Sequence, residues 1–427
     1  MLFKNINVLS DDFSVKKNMF VGTKDGKITY ISPEKPEEDF GEEYDGNNKL
    51  LMSGLYNAHS HAAMSLLRGW GEDLALSDWL TTRIFPFEDK LTPQDIYNGT
   101  MLSIAEMLRF GTVSFTDMYF VPEMEEKAVL ETGIKCNFSC GTTSFDDTPY
   151  EKMPRFLENE KMLKKYSDKN GRFIFDIGIH AEYTNKEATV RALAAHAKEY
   201  GANVHLHLSE TKSEHDECRA RYGRTPARFM LDCGAFDGPA TAAHCVWVTD
   251  SDLDIFRQKG VTVATCPVSN LKLGSGIANV DKMLSHGVNV ALGTDGSASN
   301  NNLNMFKDLY ILPLLNKGLN HDPTLLPTDA CFKIATVNGA LSQGRTDCGL
   351  VKEGYKADLI VLNLDTEHTV PVHSEKANLL YASEGADVLL TMVDGKVLYK
   401  DGEYLTLDIQ RVKFEAEKSA YRIAGEF

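Results

Sequence analysis

Two hydrophobic rhythms divide the chain. Roughly the first 50 and the last 75 residues alternate apolar and polar positions and turn often, as half-buried antiparallel strands do. FKNINVL precedes MFVGTKDGKITYIS, and ADLIVLNLD precedes VLLTMVDGKVLYKDGEY. Asp25-Gly26, Asp394-Gly395 and Asp401-Gly402 in these runs are the residue pairs that two-residue hairpins favour. Neither end has enough strand to bury a sheet alone. The pattern therefore predicts one small β-sandwich from both termini, residues 1–52 and 346–427, closing with a C-terminal helix.

Residues 53–345 follow another rhythm. Short apolar runs at Leu55–His61, Thr112–Asp117, Lys135–Ser139, Ile174–His180, Asn203–Leu208, Thr241–His244, Thr262–Thr265 and Val288–Leu292 read as strands. Amphipathic stretches such as IYNGTMLSIAEMLRFG and KEATVRALAAHAKEYG lie between them, each ending at a glycine suited to a helix C-cap. Eight such alternations predict an α/β fold, a TIM-type (β/α)8 barrel, better than an open sheet. The stretch WGEDLALSDWLTTRIFPFEDK after the first strand is longer than a connection needs and reads as a substrate-covering excursion.

Composition narrows the class. The chain has 427 residues, 43% hydrophobic and 25% charged, ordinary for a globular protein. No apolar run approaches the ~20 residues that span a bilayer. The start has no basic flank before an apolar core, and the eight cysteines form no CxxC pair, so a cytoplasmic, reducing setting is expected. A formal net charge of -16 argues against nucleic-acid or anionic-membrane partners.

In a barrel of this kind reactive groups collect at the C-terminal ends of the strands. His59 and His61 close the first predicted strand, and their two-residue spacing puts both imidazoles on one face. Asp117 closes the second and His180 the fourth; VHLHLSE ends the fifth with His207 and Glu210. AAHCVW ends the sixth with His244, and LGTDGSASNNN places Asp295 at the mouth of the eighth. Histidines and a carboxylate converging on one rim point to a metal site. His205, one pleat below His207, and Asp117 read instead as structural or bracing groups.

NAHSHAAMSLLRGWGED, HLHLSET, AAHCVW, CPVSNLKLGSGIA, LGTDGSASNN and GYKADLIVLNLD together resemble the amidohydrolase superfamily. The resemblance is closest to its methylthioadenosine/S-adenosylhomocysteine deaminases and related adenosine-type deaminases. It implies one divalent metal, most often Zn2+, held by His59, His61, His207 and Asp295; Fe2+ or Mn2+ suits the same donors. His180 stands where two-metal relatives carry a bridging lysine, which favours a single ion. The resemblance further implies Asp295 as acceptor of the attacking water's proton, Glu210 as proton shuttle to the ring nitrogen, and His244 as a hold on the attacking oxygen. Trp79 and Glu88 match positions facing the nucleoside, and His180 and Ser299 match contacts to purine or ribose. The implied partner is a small nucleoside, and family members form dimers or tetramers.

One departure bears on substrate. Where relatives accepting S-adenosylhomocysteine carry arginine after the third strand, this chain has Cys140; Arg155 follows without an assigned place. The expected reaction is hydrolytic deamination of methylthioadenosine, 5′-deoxyadenosine or adenosine, with S-adenosylhomocysteine less favoured. Guanine, another free base or a triazine is the alternative within the fold, and a non-catalytic scaffold the alternative outside it. His180-Ala181-Glu182 matches the HxE element of small cytidine deaminases, but the chain lacks their PCxxC.

Overall fold

The computed structural model describes residues 1–166 and 171–426. Eight strands, Leu55–Ser60, Thr112–Tyr119, Lys135–Thr142, Phe173–Ile179, Val204–Leu208, Ala240–His244, Thr262–Thr265 and Asn289–Leu292, pair parallel in chain order. They are called barrel strands one to eight below. Strand eight approaches strand one through its following loop. The Asp295 backbone N–H donates to the His59 carbonyl at 3.0 Å, and Asn57 Nδ2 donates to Thr294 Oγ1 at 2.7 Å. The nearly closed parallel barrel follows from strands buried along their whole length with helices outside. Ala58, Ala264 and Ala291 form a small separate apolar cluster among the strands.

Glycine C-caps end the connecting helices where the sequence places them. Helix Glu187–Tyr200 stops at Gly201 and helix Asp250–Lys259 at Gly260, both in the left-handed region. Helix Pro93–Arg109 starts from a Thr92/Asp95 capping box and carries the C-terminal helix Ile409–Ala424 on its outer face. Asn98 Nδ2 donates to Ser419 Oγ at 3.0 Å, and Arg422 pairs with Asp95 at 2.6 Å. Among the described residues no helix is long and apolar enough to cross a membrane.

The termini build a second, mixed sheet of nine strands. Lys49–Ser53 lies between Leu2–Leu9 on one side and Leu359–Asn363 on the other, so hydrogen bonding runs unbroken from N-terminal to C-terminal strands. The sheet bends over its own core of Phe3, Ile6, Val21, Leu51, Val361 and Met392. Asp25, Gly26, Asp394 and Gly395 all have positive φ, as hairpin turns of this type require. The two turns meet: the Ala357 N–H donates to the Gly26 carbonyl, and the Gly395 N–H to the Ala357 carbonyl, each at 2.9 Å.

The long stretch after strand one folds into short helical turns, Leu76–Trp79, a π turn Leu80–Ile84, and Phe85–Glu88. They lie across the C-terminal end of the barrel, where Trp79 and Glu88 join the wall of a cavity of about 520 Å3.

Candidate active site

The barrel rim brings His59, His61, His207 and Asp295 together. His61 Nε2 lies 3.2 Å and His59 Nε2 3.5 Å from Asp295 Oδ1, and His207 Nε2 is 3.3 Å from His61 Nε2. Each ring is held from behind. His61 Nδ1 donates to the Met118 carbonyl at 2.6 Å and His207 Nδ1 to the His180 carbonyl at 2.7 Å. His59 Nδ1 lies 2.8 Å from His205 Nε2, so His205, one pleat deeper, braces a rim histidine. These outer contacts fix each imidazole with its Nε2 lone pair turned inward. Two lone pairs 3.3 Å apart repel unless something positive lies between them, and His59 Nε2 is buried with no hydrogen-bond partner. Three inward nitrogens and a carboxylate oxygen are a donor set that fits a divalent cation.

The loop after strand eight is shaped for close approach. A Cβ on Gly293 would stand 3.0 Å from His59 Cβ, and one on Gly296 3.1 Å from His61 Cβ. Between them Asp295 is left-handed (φ 62), as are His244 (φ 70) and Ser209 (φ 47) at two other strand ends. Such backbone is uncommon outside glycine and gathers where side chains must be aimed. Burial opposes ionisation of Asp295, but the His59 and His61 rings beside it outweigh that and hold its pKa well below the usual carboxylate range.

Glu210 and His244 face this cluster from strands five and six, with Glu210 Oε2 3.8 Å from His244 Nε2. Burial pushes the Glu210 pKa up. The backbone N–H groups of Ser209 and Glu210 both donate to the Glu214 carboxylate at 2.7 Å, which fixes the turn that aims Glu210. Ser275 Oγ donates to Glu210 Oε1 at 3.0 Å, and His244 Nδ1 donates to Asn270 Oδ1 at 2.8 Å. Glu214, Ser275 and Asn270 have no assignment from the sequence, although the last two lie in the CPVSNLKLGSGIA stretch that resembles the superfamily.

Trp79, Glu88, His180 and Ser299 all border the cavity. Burial moves Glu88 up to about 7, while its Oε1 has no hydrogen-bond partner. Burial lowers His180 to about 4, so it presents a neutral ring, with Nδ1 3.0 Å from Thr184 Oγ1. The Ser299 hydroxyl is engaged with Asp295 Oδ2 at 2.8 Å. Asp117 braces the rim: its Oδ1 accepts from Ser60 Oγ and the Ala62 N–H. Cys140 is buried behind the wall, and Arg155 pairs with Glu158. Among the described residues the cavity is lined by Glu88, Asp89, Glu210 and Asp295 but by no lysine or arginine.

The fold and the rim define a class, and the comparisons agree with it. The profile of the amidohydrolase family matches residues 50–398, and the chain belongs to that family. It is 42% identical over 432 residues to a 5-methylthioadenosine/S-adenosylhomocysteine deaminase of Acetivibrio thermocellus, covering 99% of each chain. It is 40% identical over 430 residues to a 5′-deoxyadenosine deaminase of Methanosarcina mazei, covering 100% of this chain and 98% of the relative. An adenosine deaminase from Xanthomonas campestris, solved with bound zinc, superposes with a TM-score of 0.94 at 29% identity, covering 99% of this chain and 98% of that one.

Proposed function

We propose that this protein is a metal-dependent hydrolytic deaminase of adenine nucleosides bearing an uncharged 5′ group, such as methylthioadenosine, 5′-deoxyadenosine or adenosine. One observation carries the proposal. Glu210 and His244 line the same cavity as His61, His207 and Asp295, and Trp79 and Glu88 belong to its wall. Relatives about 40% identical along the whole chain, named as a 5-methylthioadenosine/S-adenosylhomocysteine deaminase and a 5′-deoxyadenosine deaminase, support deamination of adenine nucleosides.

His59, His61, His207 and Asp295 would hold one divalent ion, with zinc the choice that the zinc-bound neighbour supports. When bound, such an ion supplies an acidified water at neutral pH. The chain's own groups then handle the protons. Asp295 can take a proton from the attacking water, and Glu210, whose pKa burial raises, can deliver one to the purine N1. His244 Nε2 holds the incoming oxygen over C6. The C6–N6 bond breaks and the amine leaves as ammonia. The attacking oxygen stays on C6, the proton that Asp295 took leaves on the ammonia, and the water's second proton replaces the one that Glu210 gave to N1, giving the inosine analogue. Glu88 accepts hydrogen bonds from the ribose hydroxyls, and Trp79 and its apolar neighbours cover the 5′ group.

Ammonia release from purified holoenzyme over a panel of adenine nucleosides, guanine and aminated triazines tests this. Turnover of 5′-deoxygenated adenine nucleosides is expected. Inert nucleosides beside an active free base or triazine would overturn the substrate assignment. No turnover of any compound, with no bound metal, would favour a scaffold.

A further inference from the structure

We propose that the short segment Ser269–Ser275, just past barrel strand seven, aligns the reacting groups, with Asn270 and Ser275 as positioning residues. It contacts three of them, each from a different strand. Ser269 Oγ donates to Asp295 Oδ2 at 2.6 Å, Asn270 Oδ1 accepts from His244 Nδ1 at 2.8 Å, and Ser275 Oγ donates to Glu210 Oε1 at 3.0 Å. The partners sit at the ends of strands eight, six and five, and Ser269, Asn270 and Ser275 are all buried.

In every case one atom of the reacting group is tied and its other atom is left facing the site. With Oε1 held by Ser275, Glu210 turns Oε2 toward His244 Nε2, 3.8 Å away. With Nδ1 held by Asn270, His244 keeps Nε2 for the cavity. With Oδ2 held by Ser269 and by Ser299, Asp295 turns Oδ1 to His59 and His61. The segment thereby selects which oxygen or nitrogen of each group acts. A loop could not do this loosely, and this one is tied down. The Ser275 N–H donates to the Asn270 carbonyl at 2.8 Å, and the Trp247 indole donates to the Ser275 carbonyl at 2.7 Å. Trp247 in turn donates its backbone N–H to the Ser209 carbonyl at 2.9 Å, next to Glu210. The loops of strands five, six and seven form one bonded unit. A misplacement near 1 Å of a reacting group can cost about 10²-fold in rate, so such bracing matters without any substrate contact.

The inference rests on the proposed assignment of Glu210 and His244 as reacting groups. Its test compares Ser275→Ala, Ser275→Thr and Asn270→Ala holoenzymes with wild type on whichever aminated substrate the wild type turns over. Leu271→Ala, at an exposed position of the short helix Pro267–Lys272 that also carries Asn270, serves as control. Ser275→Ala and Asn270→Ala are expected to lower kcat at least about tenfold with KM within about threefold. Metal content and thermal midpoint should stay as in wild type. Ser275→Thr, which keeps the hydroxyl, should recover most of kcat, and Leu271→Ala should keep it. A crystal structure of Ser275→Ala should show the Glu210 carboxylate displaced, a readout independent of turnover. An unmoved Glu210, or a wild-type kcat in Ser275→Ala, would overturn the alignment role. A wild type inert on adenine nucleosides but active elsewhere would overturn only the substrate assignment.

Discussion

His61 Nε2 and His207 Nε2 face each other at 3.3 Å while the opposite nitrogen of each ring donates to a backbone carbonyl. Two imidazoles so fixed cannot both protonate their inner nitrogens at that spacing, and neither can turn away. The arrangement is stable with a cation between them. Metal removal by a chelator should therefore lower the thermal midpoint, and restoring zinc should recover it. At a free metal concentration a thousandfold above Kd the ion would contribute about 4 kcal/mol. His207→Ala should lower metal content under conditions that leave wild type fully loaded. A chelated protein with an unchanged midpoint, measured by scanning calorimetry, would count against the site.

Glu88 sits in the cavity wall with a buried, unpartnered oxygen and a pKa raised by burial to about 7. The sign of its effect on stability follows. A carboxyl whose folded pKa exceeds its unfolded value favours the folded state in acid, and loses ground as pH rises from about 4.5 to about 7. Glu88→Gln should thus be more stable than wild type at pH 8, by about 3 kcal/mol, with the difference vanishing near pH 4. Urea denaturation at the two pH values measures it, and a difference that does not change with pH would count against the buried carboxyl. On the substrate side, Glu88→Ala should weaken ribosides more than 2′- or 3′-deoxygenated analogues. Equal loss for both would remove it from the ribose hydroxyls.

The barrel and the terminal sheet are joined by a buried charge. Lys135, at the start of barrel strand three, lies 2.6 Å from Asp358, which directly precedes the terminal-sheet strand Leu359–Asn363. Lys135 is 3% and Asp358 0% exposed, and Tyr56 from barrel strand one donates to the same carboxylate at 2.5 Å. Breaking such a pair strands a buried charge. Lys135→Met alone should cost about 3–5 kcal/mol, while Lys135→Met with Asp358→Asn should recover a large part of that. Denaturant titration of both variants checks this, and equal losses in the single and the double variant would mean that the charge pair is not what joins the two sheets.

The sequence exposes what local periodicity can encode. Period-two spacing put His59 and His61 on one face, the Asp-Gly pairs marked three hairpins, and glycines after amphipathic runs marked helix ends. Seven of the eight barrel strands are legible to within a residue or two because each is a buried apolar run between helices, and the third runs three residues past its expected end, to Thr142. What stays hidden depends on contacts between distant elements. Ser275 is 65 residues from Glu210, and Lys135 is 223 from Asp358, so no spacing rule pairs them. Glu214, only four residues past Glu210, is hidden for another reason: its carboxylate caps backbone N–H groups at the turn, and as a residue type it reads as the first turn of an ordinary helix. Ser299 borders the cavity as expected, and its hydroxyl also donates to Asp295, a contact that no spacing rule predicts.

The cavity wall sets the tail that a substrate can carry. Its charged members among the described residues are acids, and Arg155, the guanidinium nearest in sequence to the expected position, pairs with Glu158 beside buried Cys140. Phe145, 71% exposed, stands at the mouth in the segment after strand three, close in sequence to Gly141 and Thr143 of the wall. An amino-acid carboxylate entering there would lose water and meet no donor of opposite charge. Wild type should accordingly favour 5′-methylthio or 5′-deoxy substrates over S-adenosylhomocysteine in kcat/KM. Phe145→Arg should supply the missing guanidinium at a site where no buried pair is disturbed. One charge-assisted hydrogen bond at a partly exposed position is worth about 1.4 kcal/mol, so kcat/KM for S-adenosylhomocysteine should rise about tenfold, mainly through KM. Methylthioadenosine, which has no carboxylate, should keep its wild-type KM. The decisive measurement is the ratio of the two specificity constants in wild type and variant. A ratio that already favours the homocysteine tail in wild type, or that fails to move in Phe145→Arg, would mean that the anion is met elsewhere in the cavity.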